Sequence, residues 1–118
     1  MSNRPVWLLI EDIWEAVEKV ERYTAGMTAD GFCDDSKTVD AVVRNFEIIG
    51  EAANRLPDAF KKKHSEIAWA KIIGLRHRIV HEYFGVDTGI VWHIINNDLP
   101  VFKQHLCPIR STRQCNNI

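Results

Sequence analysis

Apolar residues recur every three or four positions near the start of the chain, at Val6, Ile10, Ile13, Val17 and Val20. Glu11, Asp12, Glu15, Glu18 and Glu21 take the intervening positions. That spacing gathers the apolar set on one face of a helix and predicts a first helix over 6–23. Gly26 and Gly31, set among small polar residues, interrupt it. The pattern resumes at Val39, Val42, Val43, Phe46, Ile49, Ala53 and Leu56, predicting a second helix over 36–56. Asp35 or Ser36 can cap it, and Pro57 ends it by disfavouring helical geometry in the residue before it. "DAFKKK", residues 58–63, predicts a short helical segment. A third helix is expected from Glu66 to Phe84, with Ser65 as cap and Gly85 as a left-handed stop. Asp87 can cap a fourth, which carries Ile90, Val91, Ile94, Ile95, Leu99 and Phe102. Pro100 lies inside that stripe and should kink or close the helix.

No strand-type alternation and no internal repeat stand out. The expected fold is therefore all-α, an up-and-down bundle of four to five helices. One domain is expected over residues 1–106. The tail 107–118 has little apolar periodicity and is expected to lie loose.

Composition narrows the function. The chain has 118 residues, 46% of them hydrophobic, enough for one core, and a formal net charge of −1. A near-neutral molecule does not hold nucleic acid by bulk charge, so any such binding needs a local patch. The apolar run Val6–Ile10 is too short for a signal peptide and is followed by acids. No run approaches a membrane span. Cys33, Cys107 and Cys115 are odd in number and fit neither a zinc site nor a disulfide framework, which points to a reduced, cytoplasmic protein.

The chemistry concentrates in "LRHRIVHEYFG", residues 75–85. On a continuous helix Arg76 falls beside Ile72, Ile73, Val80 and Tyr83, on the apolar side, and a guanidinium there needs an acid, a phosphate or a wet cleft. Arg76 and His81 are roughly 140° apart on such a helix, so they converge only where it loosens before Gly85 or across a two-fold dimer. The plainest alternative is that Arg76 and Arg78 complement the helix dipole. His77 and His81 have the i, i+4 spacing of metal ligands, but the Glu of a zinc-protease motif is missing and the flanking arginines repel a cation; no metal is expected. Arg44, Glu47, Glu51 and Arg55 form a polar strip on the second helix, either solvated ion pairs or, through Arg44 or Glu51, a second layer that orients Arg76. "KKKH", residues 61–64, reads as a charged loop or a nonspecific phosphate contact. The four tryptophans, Trp7, Trp14, Trp69 and Trp92, read as core or interface aromatics.

"RHRIVHEY" resembles the R-x4-H-x-Y motif of HepT-like toxins, a branch of the HEPN superfamily. "EDIWEAVEKVERYTAGM", "TVDAVVRNFEIIGEAANRLP" and "YFGVDTGIVWHIINNDLP" look like that family's other helices, so the likeness covers roughly residues 6–106. The resemblance implies a helical homodimer and a metal-independent ribonuclease without cofactor, acting on transfer or messenger RNA. Arg76 and His81 would be catalytic, with His77 and Tyr83 positioning substrate. An imidazole that titrates near neutrality can take a proton from a ribose 2′-OH, and the guanidinium can stabilise charge on the phosphate. The resemblance also implies a partner, an MntA-type nucleotidyltransferase antitoxin that transfers AMP to Tyr83. The rival reading is a non-catalytic HEPN module that holds a nucleotide or docks that partner.

Overall fold

The computed structural model describes residues 4–81 and 85–115, with side chains for 4–80 and 85–111. Two long helices form its frame, α1 (Val6–Thr24) and α3 (Ser36–Arg55), which pack along one another. Ile13, Val17 and Val20 of α1 and Val42, Phe46 and Ile49 of α3 are fully buried. The cap is as expected: the Asp35 carboxylate accepts the Thr38 N–H at 3.0 Å and the Thr38 hydroxyl at 2.7 Å. Between them lies a helix the periodicity did not predict, α2 (Ala29–Cys33), capped by the Thr28 hydroxyl. It buries Phe32, whose ring stacks near Trp92 at 5.3 Å. The short segment after Pro57 forms as α4 (Asp58–Lys63).

The expected third helix is replaced by pieces. α5 (Trp69–Ile73) ends at Gly74, α6 (Leu75–Ile79) follows, and the chain then extends as β1 (Val80–His81). β1 pairs antiparallel with β2 (Gly85–Val86), in the register Val80 with Val86 and His81 with Gly85. Gly85 does adopt a left-handed φ of 72°, but it serves a hairpin rather than a helix stop. The strand pair is two residues long on each side, too short to leave an alternating pattern in the sequence.

The expected fourth helix forms as one continuous helical run from Thr88, with a single widened turn in its course. α7 (Thr88–His93) begins at Asp87, whose carboxylate accepts the Ile90 N–H at 3.0 Å. It widens into a π-helical turn over Ile94–Asp98, where the Leu99 N–H reaches back to the Ile94 carbonyl. α8 (Leu99–Cys115) follows. Pro100 does not close the helix, which runs on past it; it follows directly on the widened turn, where the regular hydrogen-bond ladder is already shifted. The helix also passes through Pro108. Residues after 106 continue it: Ile109 packs on the core, and Arg110 bonds Glu11 of α1 at 2.8 Å. Lys103 and Arg110 lie over the Trp14 ring at 5.2 and 5.0 Å, and Lys103 bonds Glu21 at 2.7 Å. These contacts hold α8 to α1, where a loose tail was expected. All-α remains the class, and among the described residues no helix is long and apolar enough to cross a membrane.

Candidate functional site

The break at Gly74 decides where Arg76 points. A side chain at Gly50 would meet the Ile73 and Ile72 carbonyl oxygens at 3.2 and 3.3 Å, so α3 touches the backbone at the end of α5. The turn at Gly74 then resets the helical frame. Leu75 and Ile79 of α6 become fully buried, while Arg76 and His77 are exposed. Arg76 is therefore not on the apolar side, as a continuous helix would have put it. It stands at a cleft of about 320 Å³ lined by Phe46, Glu47, Gly50, Glu51 and Asn54 of α3, with Ile73. Among the described residues its guanidinium has no hydrogen-bond or ion-pair partner.

Arg78 behaves differently. It points to the other side of α6 and bonds Asp98 in the π-helical turn at 2.7 Å, with both side chains about one-third exposed or less. The wider turn presents Asp98 towards α6. The Asn96 and Asn97 amides meanwhile donate to the carbonyls of Trp92 and His93, at 2.9 Å each. Of the motif's two arginines, one is structural and one is open to a ligand.

His81 has its backbone on β1, so the angular argument for a continuous helix does not apply to it; its side chain lies outside the described residues. Tyr83 also lies outside the described residues. Glu51 lines the cleft with Arg76, but its carboxylate accepts from Arg55 at 3.0 Å rather than from Arg76. Arg44 lines an adjoining cleft with Arg4, Asp12, Ile48, Glu51 and Arg55. There Arg4 is held by Asp12 in a two-bond contact of 2.7 and 3.0 Å. Glu51 thus belongs to both clefts and separates Arg44 from Arg76. Glu47, within the predicted strip, and Asn54, outside it, also share the Arg76 cleft. Their spacing of seven from one another on α3 was the available signal. The cleft carries two acids against one cation, so within one protomer it is not the positive groove that two motif copies would suggest.

Of "KKKH", Lys61 is tied to the Ala53 carbonyl at 3.5 Å and His64 packs on Phe60 at 4.6 Å, whereas Lys62 and Lys63 are exposed. Trp69 is buried and donates to the His64 carbonyl at 3.0 Å, Trp14 and Trp92 are partly buried, and Trp7 is 43% exposed.

Comparison with known proteins bears on the same segment. A protein from Thermococcus cleftensis named "Probable ribonuclease HepT" is 42% identical over 94 residues, 80% of this chain and 86% of its own length. A protein of Methanocaldococcus jannaschii, provisionally named an RNase, is 37% identical over 85% of this chain and 83% of its own. Another, from Caldanaerobacter subterraneus and also provisionally named an RNase, is 36% identical over 82% of this chain and 87% of its own. No solved structure matches. The family model described as "Ribonuclease HepT-like" matches residues 13–109, from the middle of α1 through most of α8. With the helical frame, the family model and these relatives in agreement, the chain belongs to the HepT-like ribonuclease family.

Proposed function

We propose that this chain is a metal-independent endoribonuclease, the toxin of a HepT/MntA-type toxin–antitoxin pair. The observation that carries the reading is Arg76: a guanidinium with no partner among the described residues, at a cleft, in a member of a ribonuclease family. In the reaction the His81 imidazole takes the proton of a ribose 2′-OH. The 2′-oxygen bonds to the adjacent phosphorus as the bond to the 5′-oxygen breaks, and that oxygen leaves with a proton from water. Arg76 binds the non-bridging oxygens and stabilises their growing charge. His77, exposed one residue along, holds the ribose. The products are a 2′,3′-cyclic phosphate end and a 5′-hydroxyl end. The substrate is single-stranded RNA, in transfer or messenger RNA.

The active form is a homodimer joined through the segment 66–102, and two copies of Arg76 and His81 supply the positive cleft that one protomer lacks. Val80 and Val101, exposed at 36% and 52%, are apolar surface available to that interface. The partner enzyme controls the toxin by transferring AMP to Tyr83: the phenol oxygen attacks the α-phosphate of ATP, pyrophosphate leaves and the phenolic proton goes to solvent. The attached phosphate then repels RNA and the adenosine blocks its entry.

The test is cleavage of a defined RNA in chelator by wild type and His81→Ala. Wild-type cutting that yields cyclic phosphate, and is abolished by a single 2′-deoxy substitution at the scissile ribose, supports the reading. Cleavage of the deoxy substrate, or strict dependence on added metal, overturns it. Light scattering should show a dimer. Co-expression with the neighbouring nucleotidyltransferase should add AMP to Tyr83, and Tyr83→Phe should escape both adduct and inhibition. The rival, a non-catalytic module, draws support from the two acids beside Arg76, which disfavour a polyanion; RNA left uncut by wild type would select it.

A further inference from the structure

Glu47 is the unexplained group in the Arg76 cleft. It is half-buried, and among the described residues its carboxylate has no hydrogen-bond or ion-pair partner, whereas Glu51 beside it is matched by Arg55. A carboxylate near a phosphate-binding guanidinium weakens RNA binding unless a donor on the ligand meets it. The cleft is about 320 Å³, at the lower end of the range of roughly 300–1,000 Å³ typical of small-molecule sites. Phe46 and Ile73 give it apolar lining, and Asn54 adds a polar group two turns along α3 from Glu47. Glu47 and Asn54 are seven residues apart on one helix, about 10.5 Å along its axis. The hydrogen-bonding edge of a purine is shorter than that separation, so the two side chains, on the same face of the helix, lean towards each other to meet a base placed between them.

The geometry points to Glu47 as a specificity-determining residue that reads an unpaired guanine beside the scissile phosphate. This rests on the ribonuclease reading above. The two carboxylate oxygens accept the guanine N1–H and one N2–H, Asn54 donates its amide N–H to O6, and the ring lies against Ile73. The other bases fit the carboxylate less well. Uracil offers one ring N–H flanked by two carbonyl oxygens, and adenine and cytosine each set an amino group beside a ring-nitrogen lone pair that faces the second oxygen. Single-stranded RNA is read in this way, on base edges splayed from the stack. Arg76 supplies the attraction for phosphate and Glu47 the choice of base, which explains why an acid stands where a polyanion must enter.

Two measurements on the full chain test it. The first is NMR titration with the 3′-monophosphates of guanosine, adenosine, cytidine and uridine. The second is sequencing of the ends that wild type generates from a random-sequence RNA. Guanosine monophosphate should bind about tenfold more tightly than the others, and cut sites should be enriched in guanine by a similar factor. Glu47→Gln should erase both preferences. Glu18→Gln, on the exposed face of α1, should leave both as they are. Cleavage without base preference, or a preference that survives in Glu47→Gln, overturns the assignment while the nuclease reading stands. Guanine-selective binding without cleavage has the opposite meaning: the base site holds and the nuclease reading fails. If no nucleotide binds and Glu47→Gln instead changes the oligomeric state, the cleft is a protein contact and the assignment falls.

Discussion

The α1–α3 frame and the segment from Gly74 to Asp98 are built by opposite rules. In the frame, helices of 19 and 20 residues each bury one stripe against the other, and every turn supports the next. Among the described residues of the motif segment, α6 is five residues long, the paired strands are two residues each, and the helix that starts at Thr88 is widened by a π-helical turn. Short pieces cannot hold themselves together, because nucleating a helix is costly and few hydrogen bonds repay it. They are held instead by burying Leu75, Ile79, Val91 and Ile94, by the close approach at Gly50, and by the Arg78–Asp98 pair. The difference teaches that stability and chemistry are divided: the frame supplies the core, and the breaks turn Arg76 outward while its neighbours on α6 go inward.

If that division is real, the two regions should fail separately. Ile13→Ala opens a cavity where α1 meets α3 and should lower unfolding stability by about 2–5 kcal/mol in denaturant titration, with activity per folded molecule unchanged. Arg76→Ala should do the reverse. It removes an exposed side chain with no described partner, so the denaturation midpoint should stay within error while RNA cleavage falls by about 10²–10³-fold. An Arg76→Ala protein that unfolds early would mean the arginine is structural and the comparison is wrong.

Gly50→Ala tests the seam between the regions. Its methyl group would press on the backbone carbonyls of Ile72 and Ile73, which cannot rotate away as a side chain could. A loss of about 1–3 kcal/mol is expected, and because the α5–α6 turn moves with it, activity should fall too. A stability loss without an activity loss would show that Arg76 does not depend on this contact. Asp98→Asn is gentler: a partly exposed pair contributes up to about 1 kcal/mol, so a small drop in stability is expected, measured against Arg78→Gln and the double variant.

How far the sequence could be read follows the same division. The frame was legible because five or more apolar positions in register leave little choice of helix or face. Asp35, Pro57 and Asp87 marked ends that the structure keeps. The motif segment was not, because each of its breaks is smaller than the window over which periodicity is visible. Gly74 is a single residue, Val80 and His81 form a strand of two, and the π-helical turn leaves the apolar sequence Ile94, Ile95, Leu99 looking like ordinary helix. A continuous helix therefore put Arg76 on the wrong face. The cleft was half legible: Glu47 and Glu51 were visible as a strip, but that Arg76 would stand over them depends on how α6 crosses α3, which no local pattern encodes.

The smallest expected effect lies at the start of α3, and it sharpens the comparison because it should touch the frame alone. The Thr38 backbone N–H, then the Thr38 hydroxyl, hold the Asp35 carboxyl below its ordinary value of 3.8 against an opposing desolvation, and Lys37 adds to the lowering. A lowered folded value means that the folded chain prefers the charged carboxylate. The stabilisation is therefore complete above the ordinary value and is lost as the pH falls below it through the folded value. Asp35→Asn keeps a side-chain acceptor for the Thr38 N–H but removes the charge. Its stability should be slightly below wild type at neutral pH, and the gap should close as acid protonates the wild-type carboxyl. The check is a pair of denaturation series from pH 7 down to the lowest pH at which both proteins still fold. Because this cap is remote in sequence from the motif and binds only its own helix, RNA cleavage at neutral pH should not change. A gap that widens in acid would mean that the carboxylate is not stabilised in the folded chain. A loss of cleavage would mean that the frame and the motif segment are coupled through α3 more closely than their packing implies.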